Sequence, residues 1–123
     1  MKYMFLLYAP DRPLPEPGTP EGDEMLQTYG AAVQAMAHAG VLIDSAPLGQ
    51  ASRATTIRIR EGATFVTDGP AAELKEQVGG YTLVECSDLD EALKWAATIP
   101  TARVGAVEVR PVLGRGERAD RQG

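Results

Sequence analysis

Residues Tyr3 to Tyr8 are continuously apolar or aromatic, the pattern of a strand buried on both faces. Between residues 9 and 22 lie five prolines and two glycines, a density that excludes helix and central strand and predicts a loop. Such a loop is either a surface connector or a lid. From Asp23 to Ala39 the apolar residues Leu26, Tyr29, Val33, Met36 and Ala37 recur at helical spacing, with Asp23 as the cap and Gly40 as the stop. Val41 to Leu48 then reads as a short strand. Thr55 to Arg60 alternates polar with apolar, and Glu61-Gly62 turns it into Ala63 to Thr67, predicting a hairpin with Thr56, Arg58 and Arg60 on one face. Tyr81 to Cys86 is a further strand. Ser87 followed three residues later by Asp90 matches a helix-start box, and Leu89, Ala92, Leu93 and Ala96 supply the stripe of a second helix beside Trp95, ended by Pro100. Val104 to Arg110 closes the series, with Val107 and Val109 on one face and Glu108 and Arg110 on the other.

The resulting order is two βαβ units around an antiparallel hairpin insert, which predicts an α+β, ferredoxin-like fold with an antiparallel sheet. Two helices cover one sheet face, yet both sides of the first strand are apolar. A homodimer pressing two sheets together would cover the second face. Residues 1–113 form one domain, and 114–123, almost without apolar residues, are expected to be a disordered tail.

The 123 residues and 44% apolar share suit one ordinary core, and the net charge of −5 argues against a nucleic-acid surface. No apolar run approaches the roughly 20 residues of a membrane helix, and no signal-peptide pattern follows Lys2. A cytoplasmic chain is expected. One cysteine, Cys86, and one histidine, His38, give no disulfide and no zinc-type spacing, so neither a metal nor another cofactor is expected. Cys86 reads as a small core residue, and His38, near a helix C-terminus, as a charge complementing the helix dipole.

Candidate chemistry concentrates between Val66 and Tyr81. Asp68, Glu73, Lys75 and Glu76 lie within nine residues, framed by Gly69-Pro70 and Gly79-Gly80. Pro70 suits a first helical position, and a short helix from there would put Glu73, Glu76 and Gln77 on one face. Two carboxylates held close split their pKa values and make an acid and a base from similar groups. Lys75 would pair with Asp68 or with Glu108. Arg110 could grip a carboxylate bidentately, and the hydroxyls of Tyr8, Tyr29 and Tyr81 could meet a ligand. Plainer readings stand beside these: Asp68 as a turn-maker, the charged run as a solvated helix face, and Glu108 with Arg110 as a surface ion pair.

Several separated motifs resemble the DGPF branch of the YCII-related proteins: the opening Met1 to Met4, Asp68-Gly-Pro70, Ala72 to Gln77, Gly79-Gly-Tyr81, Asp90 to Trp95, and Glu108 to Pro111. The likeness runs from residue 1 to about 112. It implies a bacterial protein with a ferredoxin-like fold that dimerises as an α+β barrel, with a polar cleft in each half. The branch is often encoded beside extracytoplasmic-function sigma factors, which implies a sigma-factor-related protein partner, and one distant relative removes chloride from a chlorinated hydroxyquinol. Where the motif has its final Phe this chain has Ala71, which implies a wider cleft.

Two function classes follow. The first is a non-catalytic, regulatory dimer that binds a small acidic or phenolic metabolite through Lys75 and Arg110, with Glu73, Tyr81 and Glu108 as further contacts. The second is a cofactor-free lyase or isomerase in which Glu76 or Asp68 takes a proton while Lys75 or Arg110 steadies an oxyanion.

Overall fold

The computed structural model describes residues 1–114; the tail expected from 114 onward lies, past Gly114, outside the described residues. Along the chain come β1 (Lys2–Pro10), α1 (Pro20–His38), β2 (Leu42–Pro47), a 3₁₀ turn (Ala51–Arg53), β3 (Thr55–Arg60), β4 (Ala63–Asp68), β5 (Glu76–Glu85), α2 (Leu89–Ala96), α3 (Thr101–Val104) and β6 (Ala106–Pro111). Strands β1, β2, β5 and β6 pair antiparallel in the order β2-β5-β1-β6. This is the ferredoxin-like sheet. Strands β3 and β4 pair only with each other, across a turn in which Glu61 (φ 50°) and Gly62 (φ 80°) are both left-handed, as a tight hairpin twist demands.

Within one chain, strand β1 is buried on one face only. Tyr3, Phe5 and Leu7 are buried, while Met4, Leu6 and Tyr8 are half-buried. The buried set meets Met36 of α1, Val84 of β5, Ala92 and Ala96 of α2, and Ile99. Phe5, Met36, Val84 and Ile99 are essentially inaccessible, and burial of such side chains stabilises by about 1.5–3 kcal/mol each. One polar side chain is sealed in with them: the Thr82 hydroxyl bonds Ser45 Oγ at 2.9 Å, and Ser45 Oγ meets the Tyr29 hydroxyl at 3.3 Å. That chain of hydroxyls ties α1, β2 and β5 together.

Several element ends differ from the sequence expectation. Helix α1 is capped by Thr19, whose Oγ1 accepts from Gly22 N at 3.1 Å with Pro20 at the first helical position, because Asp23 is occupied in accepting from Gly18 N. Leu26 and Ala37 fall outside the buried stripe, which is Gly22, Ala32 and Met36 with Tyr29 and Val33 beside it. In α2 the cap is Asp88, accepting from Glu91 N at 2.9 Å, while Glu91 reaches back to Ser87 N at 2.7 Å. The box is displaced by one residue. Leu89 and Leu93 consequently lie toward solvent and the buried positions are Ala92 and Ala96. Val104 ends α3 rather than opening β6.

The largest correction concerns residues 70–75. They form no helix, and Glu76 opens β5. Side chains from the flanking strands take carbonyls in this stretch: Thr56 Oγ1 donates to Gly69 O at 2.7 Å, Arg58 Nη2 to Ala71 O at 2.9 Å, and Gln77 Nε2 to Ala72 O at 2.9 Å. These anchors hold the segment extended against the hairpin, and β5 gains extra pairing with the end of β1, Gln77 opposite Ala9 and Glu76 opposite Pro10.

Candidate binding site

Strand register assembles the site. Leu6 stands between Glu108 and Tyr81, Met4 between Arg110 and Leu83, and Tyr8 between Ala106 and Val78. On the far side of β5, Asp44 is opposite Leu83 and Ala46 opposite Tyr81. Directly paired residues in a sheet project to the same side, so these side chains share the face turned away from the core. Gly105 makes the approach of β6 possible, since a Cβ there would overlap the Tyr8 carbonyl oxygen. Gly79 is the additional residue of a bulge opposite Leu7 and Tyr8, and it restores the alternation that puts Val78 on this face.

The face has an aliphatic middle and two polar flanks. Met4, Leu6 and Leu83, all half-buried, form the middle. On the β6 flank, Arg110 Nε donates to Glu108 Oε2 at 2.5 Å, and Tyr8 is close enough to the same carboxylate for each to shift the other's ionisation. On the β2 flank, the Tyr81 hydroxyl donates to Asp44 Oδ2 at 2.6 Å.

These contacts shift the ionisation of the groups that make them. The Arg110 hydrogen bond, followed by the neighbouring Tyr8 phenol, holds the Glu108 carboxyl below its ordinary 4.5. The nearby Glu108 carboxylate pushes the Tyr8 phenol above 10.0, and the bond to Asp44 does the same for Tyr81. Glu108 likewise raises the Arg110 guanidinium. Each of these four groups is moved away from neutral pH, whereas a general acid or base works best with a pKa near the working pH. Away from this face, burial raises the Cys86 thiol, which disfavours the thiolate needed of a nucleophile.

Of the residues singled out in the sequence, Tyr81, Glu108 and Arg110 are brought together here with Tyr8. Asp44 was missed: its signal lay in the alternation of β2, but a bulge between Leu42 and Asp44 shifts that register. Asp68, Glu73 and Lys75 lie elsewhere, whereas Glu76, opposite Pro10 and two residues beyond the Tyr8 and Val78 pair, falls on the open side at the far end of the sheet. Asp68 ends β4 opposite Thr55, Glu73 and Lys75 are exposed in the 70–75 segment, and Glu76 begins β5. The shared helical face expected for Glu73, Glu76 and Gln77 is absent with the helix that would have made it. Lys75 pairs with neither Asp68 nor Glu108; among the described residues the ion pairs are Glu108 with Arg110, and the Met1 ammonium with Glu85. His38 is the last, exposed residue of α1.

Residues 1–114 match the family model of the YCII-related domain. The chain belongs to the YCII-related family. An uncharacterised protein of Rhizobium meliloti is 35% identical to this YCII-related chain over 114 residues, covering 91% of this chain and 92% of the relative. The matched region includes the whole four-stranded sheet, so both polar flanks of the open face lie within the YCII-related domain. No helix of this YCII-related domain is long and apolar enough to cross a membrane, and no three His, Cys, Asp or Glu side chains are grouped for a metal among its described residues.

Proposed function

We propose that this YCII-related protein is a homodimeric binding module that holds a small acidic or phenolic molecule against the open face of its sheet. The observation that carries this reading is the face itself: an aliphatic strip of Met4, Leu6 and Leu83, with Tyr8, Glu108 and Arg110 on one side and Tyr81 with Asp44 on the other. A second copy of the chain covers the strip, as apolar sheet surface on a soluble protein calls for. Arg110 spends Nε on Glu108 and keeps its terminal N–H groups for a ligand carboxylate, which that guanidinium edge binds in bidentate fashion. The phenol rings of Tyr8 and Tyr81 offer aromatic surface with polar tips.

The directions in which Glu108, Tyr8 and Tyr81 are displaced favour binding over proton transfer. The test is a thermal-shift screen of wild type and Arg110→Ala in parallel against aromatic and aliphatic carboxylic acids and phenols. Compounds that raise the wild-type melting temperature are expected to lose most of that effect in Arg110→Ala. Equal shifts in both proteins would remove Arg110 from the site, and conversion of a bound compound would replace the binding module with an enzyme.

A further inference from the structure

The hairpin insert does more than decorate the sheet. Between the 3₁₀ turn on one side and Pro70-Ala71 on the other runs a groove of about 530 Å³, within the range of small-molecule sites; Leu48, Arg53, Thr56, Pro70, Ala71 and Val78 are among its lining residues. Among the described residues, its only charged lining side chain is Arg53.

Both walls are tied down. The Pro70-Ala71 wall is fixed by the donations of Thr56 to Gly69 O and of Arg58 to Ala71 O, and by Gly69 N donating to Ala54 O at 2.8 Å. The opposite wall is fixed by Ala51 N donating to Asp11 Oδ1 at 2.9 Å and by Leu48 N donating to Gly79 O at 2.9 Å. Arg58 is committed to Ala71 O. Arg53 stands in contrast, because its guanidinium makes no hydrogen bond and no ion pair among the described residues. It lies close over Gly49, where an added Cβ would stand 3.4 Å from Nη1. A fixed groove with one unengaged fork of five N–H donors is an anion receptor by its chemistry.

We propose that this groove is a second binding site, distinct from the open sheet face, and that it takes a small organic monocarboxylate. The carboxylate sits bidentate on Arg53 and a short apolar body lies along Leu48, Pro70 and Ala71. One cation in an otherwise neutral lining matches a single negative charge; a doubly charged phosphate would need a second. Ala71 sets the size of the body, since its methyl leaves open the space that a larger side chain would fill.

Benzoate is the probe and benzamide its neutral counterpart, followed by amide chemical-shift perturbation in wild type, Arg53→Gln, Ala71→Trp and Arg110→Ala. Arg53 and Ala71 are solvent-facing positions, and an unchanged amide spectrum of each free variant verifies its fold. Benzoate is expected to shift the amides of residues 50–56 and 70–78 in wild type and in Arg110→Ala. Affinity should fall at least about tenfold in Arg53→Gln, the loss expected for one charge-assisted pair, and likewise in Ala71→Trp; benzamide should bind no better than to Arg53→Gln. The proposal is overturned by shifts confined to the open face and abolished in Arg110→Ala, by benzoate binding that Arg53→Gln leaves intact, or by no benzoate-dependent shift in the groove. Loss of the groove shifts in Arg110→Ala, with binding kept in Arg53→Gln, would overturn it in the same way.

Discussion

Glu108 accepts from the Arg110 guanidinium with the Tyr8 phenol beside it, and its carboxyl is lowered accordingly. A carboxylate depressed in the folded state contributes stability that is present above its unfolded pKa and lost as pH falls through the folded one. Wild type should therefore be slightly more stable than Glu108→Gln at neutral pH, as suits a solvent-facing pair. That gap should close as pH drops from the ordinary 4.5 through the lowered value. Urea titrations of both proteins between about pH 7 and pH 3 check this; a gap that stays constant would mean that the carboxylate contributes nothing through its charge. Tyr8 acts in the opposite sense: its raised pKa gives stability present below pH 10.0 and lost on the alkaline side. At this scale the alternation of Val107, Glu108, Val109 and Arg110 was readable in sequence, because a strand of period two leaves no choice about which pair shares a face. The partnership of Tyr81 with Asp44 was not, because it depends on a bulge and on a register between strands separated by more than thirty residues.

Helix ends carry their own energetics. Asp88→Ala removes the side chain that accepts from Glu91 N and should cost about 1 kcal/mol, within the 0.5–2 kcal/mol of known caps. Ser87→Ala removes only an exposed hydroxyl bonded to Glu91 at 3.1 Å and leaves the cap in place, so it should cost less. Chemical denaturation of the two variants separates them, and the reverse order would put the cap back at Ser87. Both residues are good cappers and stand side by side, so sequence placed the start of α2 within a residue while misplacing its stripe: the one-step shift turns Leu89 and Leu93 outward. Residues 70–75 show the other kind of limit. Proline followed by Ala-Ala-Glu-Leu-Lys has the local preferences of a helix, but Thr56, Arg58 and Gln77 draw its carbonyls to neighbouring strands. Propensity lost to tertiary hydrogen bonds that no short window contains.

For the whole molecule, the ferredoxin-like order was legible because periodic helices alternate with short apolar or alternating runs bounded by turn residues, and because split βαβ connectivity leaves few alternatives. The open face carries the oligomer prediction. Leu6 and Leu83 lie in its aliphatic middle, so Leu6→Glu or Leu83→Glu should convert a sedimenting dimer at micromolar concentration into a monomer while leaving the helix-covered core intact. Wild type that sediments only as a monomer at that concentration would sink the dimer.

Strands β2 and β5 are paired from Leu42 opposite Val84 to Pro47 opposite Gly80, and Leu48 N closes the ladder on Gly79 O. All that lies between, the 3₁₀ turn, the hairpin and the Asp68-Gly69-Pro70 segment, is an excursion that leaves the sheet and returns to the place it left. Its length weighs little on stability, since loop closure grows only logarithmically with the number of residues. The excursion can thus be lengthened, shortened or exchanged while the sheet keeps its pairing. Descendants of such a chain could acquire a new ligand preference there without having to relearn how to fold.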